Sequence, residues 1–207
     1  MKKILLYVIF LSICLMSACG PVTTNKFQFN LKTNEFTHGH SNLRFPEQIG
    51  KFVRGRINQY DPDGKDISVT YNIHHPQSAV IATIYIHPAP MLSSTAPPQD
   101  VAQRAHVTIF EQYVASVKKE TLHAHPDAEL LKQGQKTLQI RKAIITGVCV
   151  KYRLKTLAGQ AIDTFLEMYV FQFGPWIIKY SITYPQENQD LANQEITPFI
   201  DQFQMKR

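Results

Sequence analysis

Three long apolar runs in the second half of the chain constrain the fold most strongly. They cover residues 143 to 156, 160 to 173 and 176 to 184, and the pairs Ala158-Gly159 and Gly174-Pro175 separate them. Gly and Pro interrupt regular structure, and strands joined by such short turns pair in antiparallel fashion. This part of the chain therefore predicts an antiparallel sheet.

The last of these runs indicates which side chains face the core. In WIIKYSITYP, the aromatic and branched side chains at alternate positions are Trp176, Ile178, Tyr180, Ile182 and Tyr184. The polar side chains between them are Lys179, Ser181 and Thr183. Because successive side chains of a strand point to opposite faces, the first set is predicted to be buried and the second to face solvent.

The first half of the chain contains further strand signals. KFVRGRINQY and DISVTYNI flank the turn-forming sequence DPDGK, which predicts a β-hairpin. The following run, AVIATIYIH, is apolar at both sets of alternating positions, as in a central strand that is covered on both sides.

Two amphipathic helices accompany these strands. The first is predicted from residue 98 to about residue 122, because its apolar residues recur every four positions; they are Val101, Ala105, Ile109, Tyr113 and Val117. The second, near the C-terminus, is marked by Leu191, Ile196, Phe199, Ile200 and Phe203. The predicted fold is α+β: residues 45–207 form a single domain with an antiparallel sheet of about six or seven strands and two main helices packed on it.

The N-terminus has the features of a targeting segment. Lys2 and Lys3 precede an uncharged apolar stretch, residues 4 to 16, which is too short to span a bilayer as a helix. The sequence LMSACG that ends it resembles the lipobox of bacterial lipoproteins. This resemblance implies that residues 1–18 are a lipoprotein signal peptide, cleaved between Ala18 and Cys19, and that Cys19 is lipidated. The alternative is an ordinary signal peptide and a secreted protein.

A lipidated Cys19 would anchor the chain to a membrane, because each buried methylene contributes about 0.8 kcal/mol. Gly20 rather than Asp follows the cysteine. In the lipoproteins of Gram-negative bacteria that this sequence resembles, such a residue implies the outer membrane, here with the domain facing the periplasm. Residues 19–44 are predicted to be the lipidated N-terminus and a tether, although the alternation of Phe27, Phe29 and Leu31 with polar residues also fits an added edge strand.

Charge narrows the possible partners. The chain has 22 basic and 16 acidic residues, and Lys2 and Lys3 belong to the predicted signal peptide, so the mature formal charge is +4. The basic residues are scattered, which argues against nucleic-acid binding. A mild positive charge favours anionic lipid, lipopolysaccharide phosphates or peptidoglycan carboxylates, and an envelope protein is a further possible partner. Without Cys14 and Cys19, Cys149 has no intramolecular disulfide partner.

Familiar catalytic motifs are absent from the sequence, and no cofactor or catalytic residue is predicted. Cys149 lies within a predicted strand among apolar residues, which favours a small buried side chain over a nucleophile. Weak metal-ligand candidates are the closely spaced histidines His38, His40, His74, His75, His123 and His125. A polar, solvent-facing role is favoured for them, because no cysteine or carboxylate cluster completes a metal site.

Two other groups of residues contain side chains that are common in binding sites. The spacing of Asp61, Asp63 and Asp66 around Gly64 departs from an EF-hand, so a hairpin turn is predicted there. Tyrosines that could stack on glycan rings are Tyr60, Tyr71, Tyr85, Tyr152, Tyr169, Tyr180 and Tyr184, and packing within the core and on the sheet is the favoured use for them.

A resemblance covers the chain from about Phe45 to Met205. FPEQIGKFVRGRINQY, GKDISVTYNI, ATIYIHP and WIIKYSITYP resemble elements of an uncharacterised family of exported bacterial proteins, and the element order is similar to PsbP-like sandwiches. That fold is shared by non-enzymatic assembly factors, so the resemblance implies a non-enzymatic envelope lipoprotein with a binding or assembly-accessory domain. The alternatives are an envelope hydrolase or metal-binding protein that uses the histidines, and a surface-exposed adhesin or virulence factor.

Overall fold

The computed structural model describes residues 28–30, 34–74, 79–90, 99–140, 143–157 and 160–202. The predicted signal peptide, the predicted lipidation site Cys19 and His75 lie outside these residues.

The described elements are eleven strands and two α-helices. The strands are β1 Gln28–Asn30, β2 Glu35–His38, β3 Leu43–Phe45, β4 Gln48–Ile49, β5 Phe52–Gln59, β6 Ile67–His74, β7 Ala79–Pro88, β8 Glu129–Ile140, β9 Ala143–Leu157, β10 Gln160–Phe173 and β11 Trp176–Pro185. The helices are α1 Gln99–Ala124 and α2 Gln189–Gln202, and a short 3-10 helix, Gln186–Asn188, precedes α2.

The strands form two antiparallel sheets. The larger one has eight strands in the order β4-β5-β6-β7-β11-β10-β9-β8, and the smaller one has three in the order β1-β2-β3. An antiparallel sheet with two helices was predicted and is confirmed for the described residues, with more strands than the predicted six or seven. The main addition is β8, a sheet-edge strand whose first five side chains are all exposed, so its sequence lacks the apolar alternation of the other strands.

The segments with the strongest apolar patterns form most of the large sheet. The three apolar runs are β9, β10 and β11, and the predicted hairpin is β5 paired with β6. The run with apolar residues at both sets of alternating positions is β7, which lies between β6 and β11 as a central strand. The first helix was predicted at residues 98 to about 122 and is observed as Gln99–Ala124.

The helix α2 and the small sheet cover one face of the large sheet, here called the α2 face. Its buried side chains include Tyr71, Ile84, Tyr180 and Ile182, all with no exposed surface, together with Phe199 of α2, which is 1% exposed. Ring centroids of Phe52 and Phe199 lie 4.2 Å apart. The predicted burial of one side of WIIKYSITYP is confirmed at its four isoleucine and tyrosine positions.

The helix α1 covers part of the opposite face, here called the α1 face. Val117 packs with Val150 of β9 and Met168 of β10, and Val114 packs with Val170 and Ile177 at the neighbouring end. These clusters draw their strand residues from β9, β10 and β11, and none comes from the described parts of β5 or β6. One half of the α1 face is therefore packed against a helix and the other half carries polar side chains.

The tether prediction, residues 19–44, is wrong for its last part. Phe36 and Leu43 are buried in the main core, and β2 and β3 belong to the small sheet. The Arg54 guanidinium donates hydrogen bonds to the backbone carbonyls of Asn34 and Phe45, which ties these strands to β5. Burying the apolar side chains of these short strands stabilises the fold. The folded domain therefore begins before Phe45. The alternative of an added strand is confirmed at Gln28–Asn30.

No helix among the described residues is both long enough and apolar enough to cross a membrane.

Candidate functional site

Two of the predicted histidines form part of a packing contact. The His38 ring donates from Nε2 to the Gly64 carbonyl, 2.8 Å away, and its Nδ1 lies 2.6 Å from the Ser41 hydroxyl. His40 donates from Nε2 to the Asp63 carbonyl at 2.9 Å. The His38 and Trp176 ring centroids are 5.2 Å apart. The histidines therefore hold the small sheet against the turn between β5 and β6.

His38 does not face solvent, contrary to the prediction, because only 1% of the residue is exposed. Burial lowers the pKa of His38, although its hydrogen bond to Gly64 and the charge of Asp61 oppose that change. A neutral ring with the proton on Nε2 satisfies both hydrogen bonds, since Nδ1 then accepts from the Ser41 hydroxyl.

The other histidines are dispersed. His123 is exposed in the last turn of α1, and His125 is half-buried just after the helix. His74 ends β6, and nothing is described of its side chain. Among the described residues, no three His, Cys, Asp or Glu side chains are grouped so that they could hold a metal ion.

The aspartate-rich segment forms the predicted hairpin turn. The Asp61 carboxylate accepts a hydrogen bond from the Asp66 backbone N–H at 2.7 Å, and Gly64 has a φ of 70°. The Gly64 N–H donates to the Asp61 carbonyl at 3.2 Å. Glycine suits this position because it adopts positive φ without a steric penalty.

Cys149 is free and half-buried in β9, opposite Tyr169 of β10. Of the seven tyrosines considered above, four are buried, which agrees with the predicted packing role; they are Tyr71, Tyr152, Tyr180 and Tyr184. Tyr60 is 58% exposed and Tyr85 is half-buried, and both lie near Ser68 on the α1 face.

The α2 face contains a closely bonded group of polar side chains, here called the paired cluster: Lys151, Glu167, Tyr169 and Tyr184. The Lys151 ammonium lies 3.1 Å from the Glu167 carboxylate and 2.7 Å from the Tyr184 hydroxyl. Tyr169 and Tyr184 donate to the two carboxylate oxygens of Glu167 at 2.6 Å and 2.5 Å. The ammonium also lies 4.6 Å from the centre of the Phe165 ring.

These contacts change the acidities within the paired cluster. Burial by itself would raise the pKa of Glu167, but hydrogen bonds from Tyr169, Tyr184 and Lys151 outweigh it, and the pKa is below its usual value. Burial and the Glu167 carboxylate raise the pKa of both tyrosines. Every charged group of the paired cluster has a described partner, so this cluster is suited to holding strands β9, β10 and β11 together.

The other half of the α1 face is here called the polar face. The strand register places its side chains on one surface of β5, β6, β7 and β11: Asn58, Ser68, Thr70, Thr83, Tyr85, Lys179 and Ser181. Ser68 is buried, and its hydroxyl bonds to the Tyr60 hydroxyl at 2.9 Å and to the Asn58 amide at 3.2 Å. The residues of this face that were predicted to face solvent, Lys179, Ser181 and Thr183, are half-buried.

Lys179 is the central charged residue of the polar face. Its ammonium lies 4.4 Å from the centre of the Tyr85 ring, which is the residue directly across from it on β7. The basic side chains that form ion pairs with described carboxylates are Arg44, Lys51, Lys65, Lys136, Lys151 and Arg153. Lys179 is not among them.

Three further titratable side chains surround the polar face. His87 of β7 donates from Nδ1 to the Pro88 carbonyl at 3.0 Å, so that Nε2, 2.7 Å from the Tyr113 hydroxyl, accepts from Tyr113 of α1. The charge of Asp66, at the start of the β6 hairpin arm, acts on both Tyr113 and Lys179. The polar face thus joins the hairpin to the edge of α1.

On the polar face, the pKa of each shifted group moves in the direction that favours its neutral form. Burial raises the pKa of Asp66, and the nearby charges of His87 and Lys179 reduce that rise. Burial lowers the pKa of Lys179, opposed by the charges of Glu120 and Asp66. Burial also raises the pKa of Tyr85. Displacements of this kind in a lysine and a carboxyl of one surface are typical of functional sites.

Sequence reasoning missed Lys179, Asp66 and His87 as members of one site. The alternation in WIIKYSITYP did separate Lys179 from the core-facing residues, and this was a usable signal. The residues around His87 predict only a strand, and those around Asp66 predict only a turn. Their proximity depends on the pairing of β6, β7 and β11, which residue spacing does not reveal.

Comparisons with known proteins give no family assignment. No family model matches the chain, and no curated protein matches it. Among solved structures, the Pseudomonas aeruginosa protein PA94, whose function is unknown, is 13% identical with a TM-score of 0.44, covering 84% of this chain and 94% of that one.

A second similar structure is the cyanobacterial PsbP protein CyanoP from Synechocystis sp. PCC 6803. It is 13% identical with a TM-score of 0.40, and the match covers 89% of this chain and 95% of that one. At these TM-scores neither structure carries an argument about what this chain does.

Proposed function

We propose that this chain is a non-enzymatic outer-membrane lipoprotein whose PsbP-like domain faces the periplasm and binds a protein or an envelope polymer. The membrane address rests on the sequence: Lys2 and Lys3, the apolar stretch after them, and Cys19 preceded by Ser17 and Ala18. Lipid at Cys19 would keep the domain at the membrane surface, close to the polymers and proteins of the envelope.

The observation that carries the binding role is the polar face. A half-buried lysine without a described carboxylate partner adds little to stability, because the loss of hydration is not offset by an ion pair. Polar side chains that lie close together and have shifted pKa values are typical of ligand-binding sites. A binding role accounts for Lys179, Asp66 and His87 lying together.

The membrane address is tested on full-length protein purified from cell membranes. We expect an intact mass that includes acyl chains on Cys19, and a chain that begins at that residue. The control is Cys19→Ala, which should retain the signal peptide or be released from the membrane fraction. A native protein without acyl mass would contradict the lipoprotein assignment.

The binding role is tested by photo-crosslinking in cells. A photoreactive phenylalanine analogue at Tyr60, which is exposed beside the polar face, should capture one reproducible partner. The matched control is the same analogue at Ile144, which is 74% exposed at the start of β9. Capture at Ile144 alone, or at neither position, would contradict binding through the polar face.

Protease treatment of intact cells distinguishes a periplasmic domain, which resists it, from a surface-exposed adhesin.

A further inference from the structure

We propose that the polar face binds a sugar that carries a carboxylate, and that the Lys179 ammonium contacts that carboxylate. This inference rests on the proposed binding function and specifies the chemistry of its ligand. It is argued from the charge of the polar face, from its hydrogen-bonding groups and from its dimensions.

The cation is already in position for an anionic group. Lys179 lies on the Tyr85 ring at 4.4 Å, and this contact holds the ammonium above the middle of the sheet. The opposite charges that act on it come from Glu120 and Asp66, but neither forms an ion pair with it. A ligand carboxylate would supply the charge-assisted hydrogen bond that the described side chains do not.

Hydroxyl and amide groups surround the cation on a broad surface. Thr83 and Ser181 pair across β7 and β11, and Thr70 lies across from Thr83 on β6. Three neighbouring strands span about 10 Å, since strands lie about 4.8 Å apart. This width fits a sugar ring with its ring substituents. The exposed ring of Tyr60 at the border provides an apolar surface for the sugar.

The neighbouring charges favour a singly charged carboxylate over a phosphate. Lys179 is accompanied by the acidic groups of Asp66 and Glu120, whose charges act on the same ammonium. Since like charges repel, a doubly charged phosphate would lose more from these two groups than a carboxylate would.

The test is equilibrium dialysis of the full-length protein in a nonionic detergent against three sugars. N-acetylmuramic acid carries a carboxylate, N-acetylglucosamine is neutral, and N-acetylglucosamine 6-phosphate carries a phosphate. We expect N-acetylmuramic acid to bind about tenfold more tightly than the neutral sugar, which is the effect of about 1.4 kcal/mol from one charge-assisted contact. Its affinity should fall as salt is added.

The matched variants are Lys179→Gln and Lys151→Gln. Both remove one positive charge from a half-buried lysine above an aromatic ring, but Lys151 belongs to the paired cluster on the other face. We expect Lys179→Gln to lose about tenfold in affinity for N-acetylmuramic acid. Lys151→Gln should bind like the unaltered protein. Circular dichroism at the dialysis temperature confirms that both variants are folded.

Several results would overturn this inference: equal affinity for all three sugars, preference for the phosphate, equal losses in both variants, or no binding at millimolar concentrations. The Tyr60 crosslinking experiment separates these failures from failure of the proposed function. A partner captured at Tyr60 without sugar binding would retain the binding role and reject the carboxylate sugar. Sugar binding in a protein without acyl chains would retain the ligand and reject the membrane address.

Discussion

The two faces of the large sheet each hold a half-buried lysine above an aromatic ring, but only one of these lysines forms an ion pair with a carboxylate of the described residues. Lys151 on the α2 face lies 3.1 Å from Glu167, and that carboxylate accepts two tyrosine hydroxyls. Lys179 on the α1 face contacts the Tyr85 ring and has no described carboxylate partner. The same residue type in similar strand positions therefore has two different electrostatic surroundings.

This difference indicates that Lys151 contributes to the stability of the fold, whereas Lys179 contributes to binding. A buried charge with a full set of hydrogen bonds stabilises the fold or is neutral to it, and the loss of one partner is strongly destabilising. A half-buried charge without a partner costs stability and is retained where it contacts a ligand. The carboxyl groups differ in the same way, because the pKa of Glu167 is below its usual value and that of Asp66 is above it.

The largest expected effect is that of Glu167→Ala. This variant leaves Lys151 without its counter-charge and two tyrosine hydroxyls without their acceptor, so we expect the free energy of unfolding to fall by about 3 kcal/mol. Urea denaturation followed by circular dichroism measures this. Glu187→Ala, at an exposed position, is the control and should change little. A loss no greater than that of the control would show that the paired cluster does not stabilise the sheet.

Replacing each lysine by methionine compares the two faces directly. Lys151→Met should lower the free energy of unfolding by about 1 to 2 kcal/mol, because Glu167 remains buried with fewer donors. Lys179→Met should leave it unchanged or raise it by up to about 1 kcal/mol, because the desolvated charge is removed. The measurement is again urea denaturation. Equal losses in the two variants would mean that Lys179 has a partner in the folded protein.

The free energy of unfolding should depend on pH in the acid range because of Glu167. Its pKa in the folded protein is below the ordinary value of 4.5, so its stabilising contribution is present above that value and is lost as the pH falls through the folded pKa. The difference in unfolding free energy between the unaltered protein and Glu167→Gln should therefore shrink as the pH falls below 4.5. A difference that is constant with pH would exclude an ionised Glu167 as the source.

The smallest expected effect is that of replacing Asp66, which should raise the free energy of unfolding at neutral pH. Its pKa is above the ordinary value of 3.8, so its favourable contribution is present below that value and is lost as the pH rises through the folded pKa. Asp66→Asn should then be more stable than the unaltered protein at pH 7 by a few tenths of a kcal/mol. The gain should vanish below 3.8.

The control for this last measurement is Glu111→Gln, at an exposed position of α1. It should show no gain at pH 7. If Asp66→Asn is less stable than the unaltered protein at neutral pH, the Asp66 carboxylate is paired, and the two faces do not differ in the pairing of their carboxyl groups.

Strong alternation made much of the fold predictable. The strands β9, β10 and β11, the β5–β6 hairpin and both helices were found because their apolar residues follow one period over many residues. The strands β2, β3 and β8 were missed for physical reasons. The first two are only a few residues long, and β8 lies at the sheet edge, where exposed polar side chains hide the pattern.

The candidate site was less predictable than the fold. The candidate histidines are close to one another in sequence, but His38 and His40 bind the carbonyls of the β5–β6 turn and His123 is exposed. Hydrogen bonds within the folded chain, rather than proximity in sequence, decide what a histidine does. The residues of the polar face come from separate strands, so sequence spacing gave no sign that they meet.

The sequence by itself determined the strands with strong apolar alternation, the turn between β5 and β6 and the buried side of β11, because these follow from local periodicity and from the conformations open to Gly and Pro. The tertiary structure alone decided that Glu167 lies opposite Lys151 and that Tyr85 lies opposite Lys179. Charge pairing acts over a few ångströms of space, and only strand pairing brings distant parts of the chain that close together.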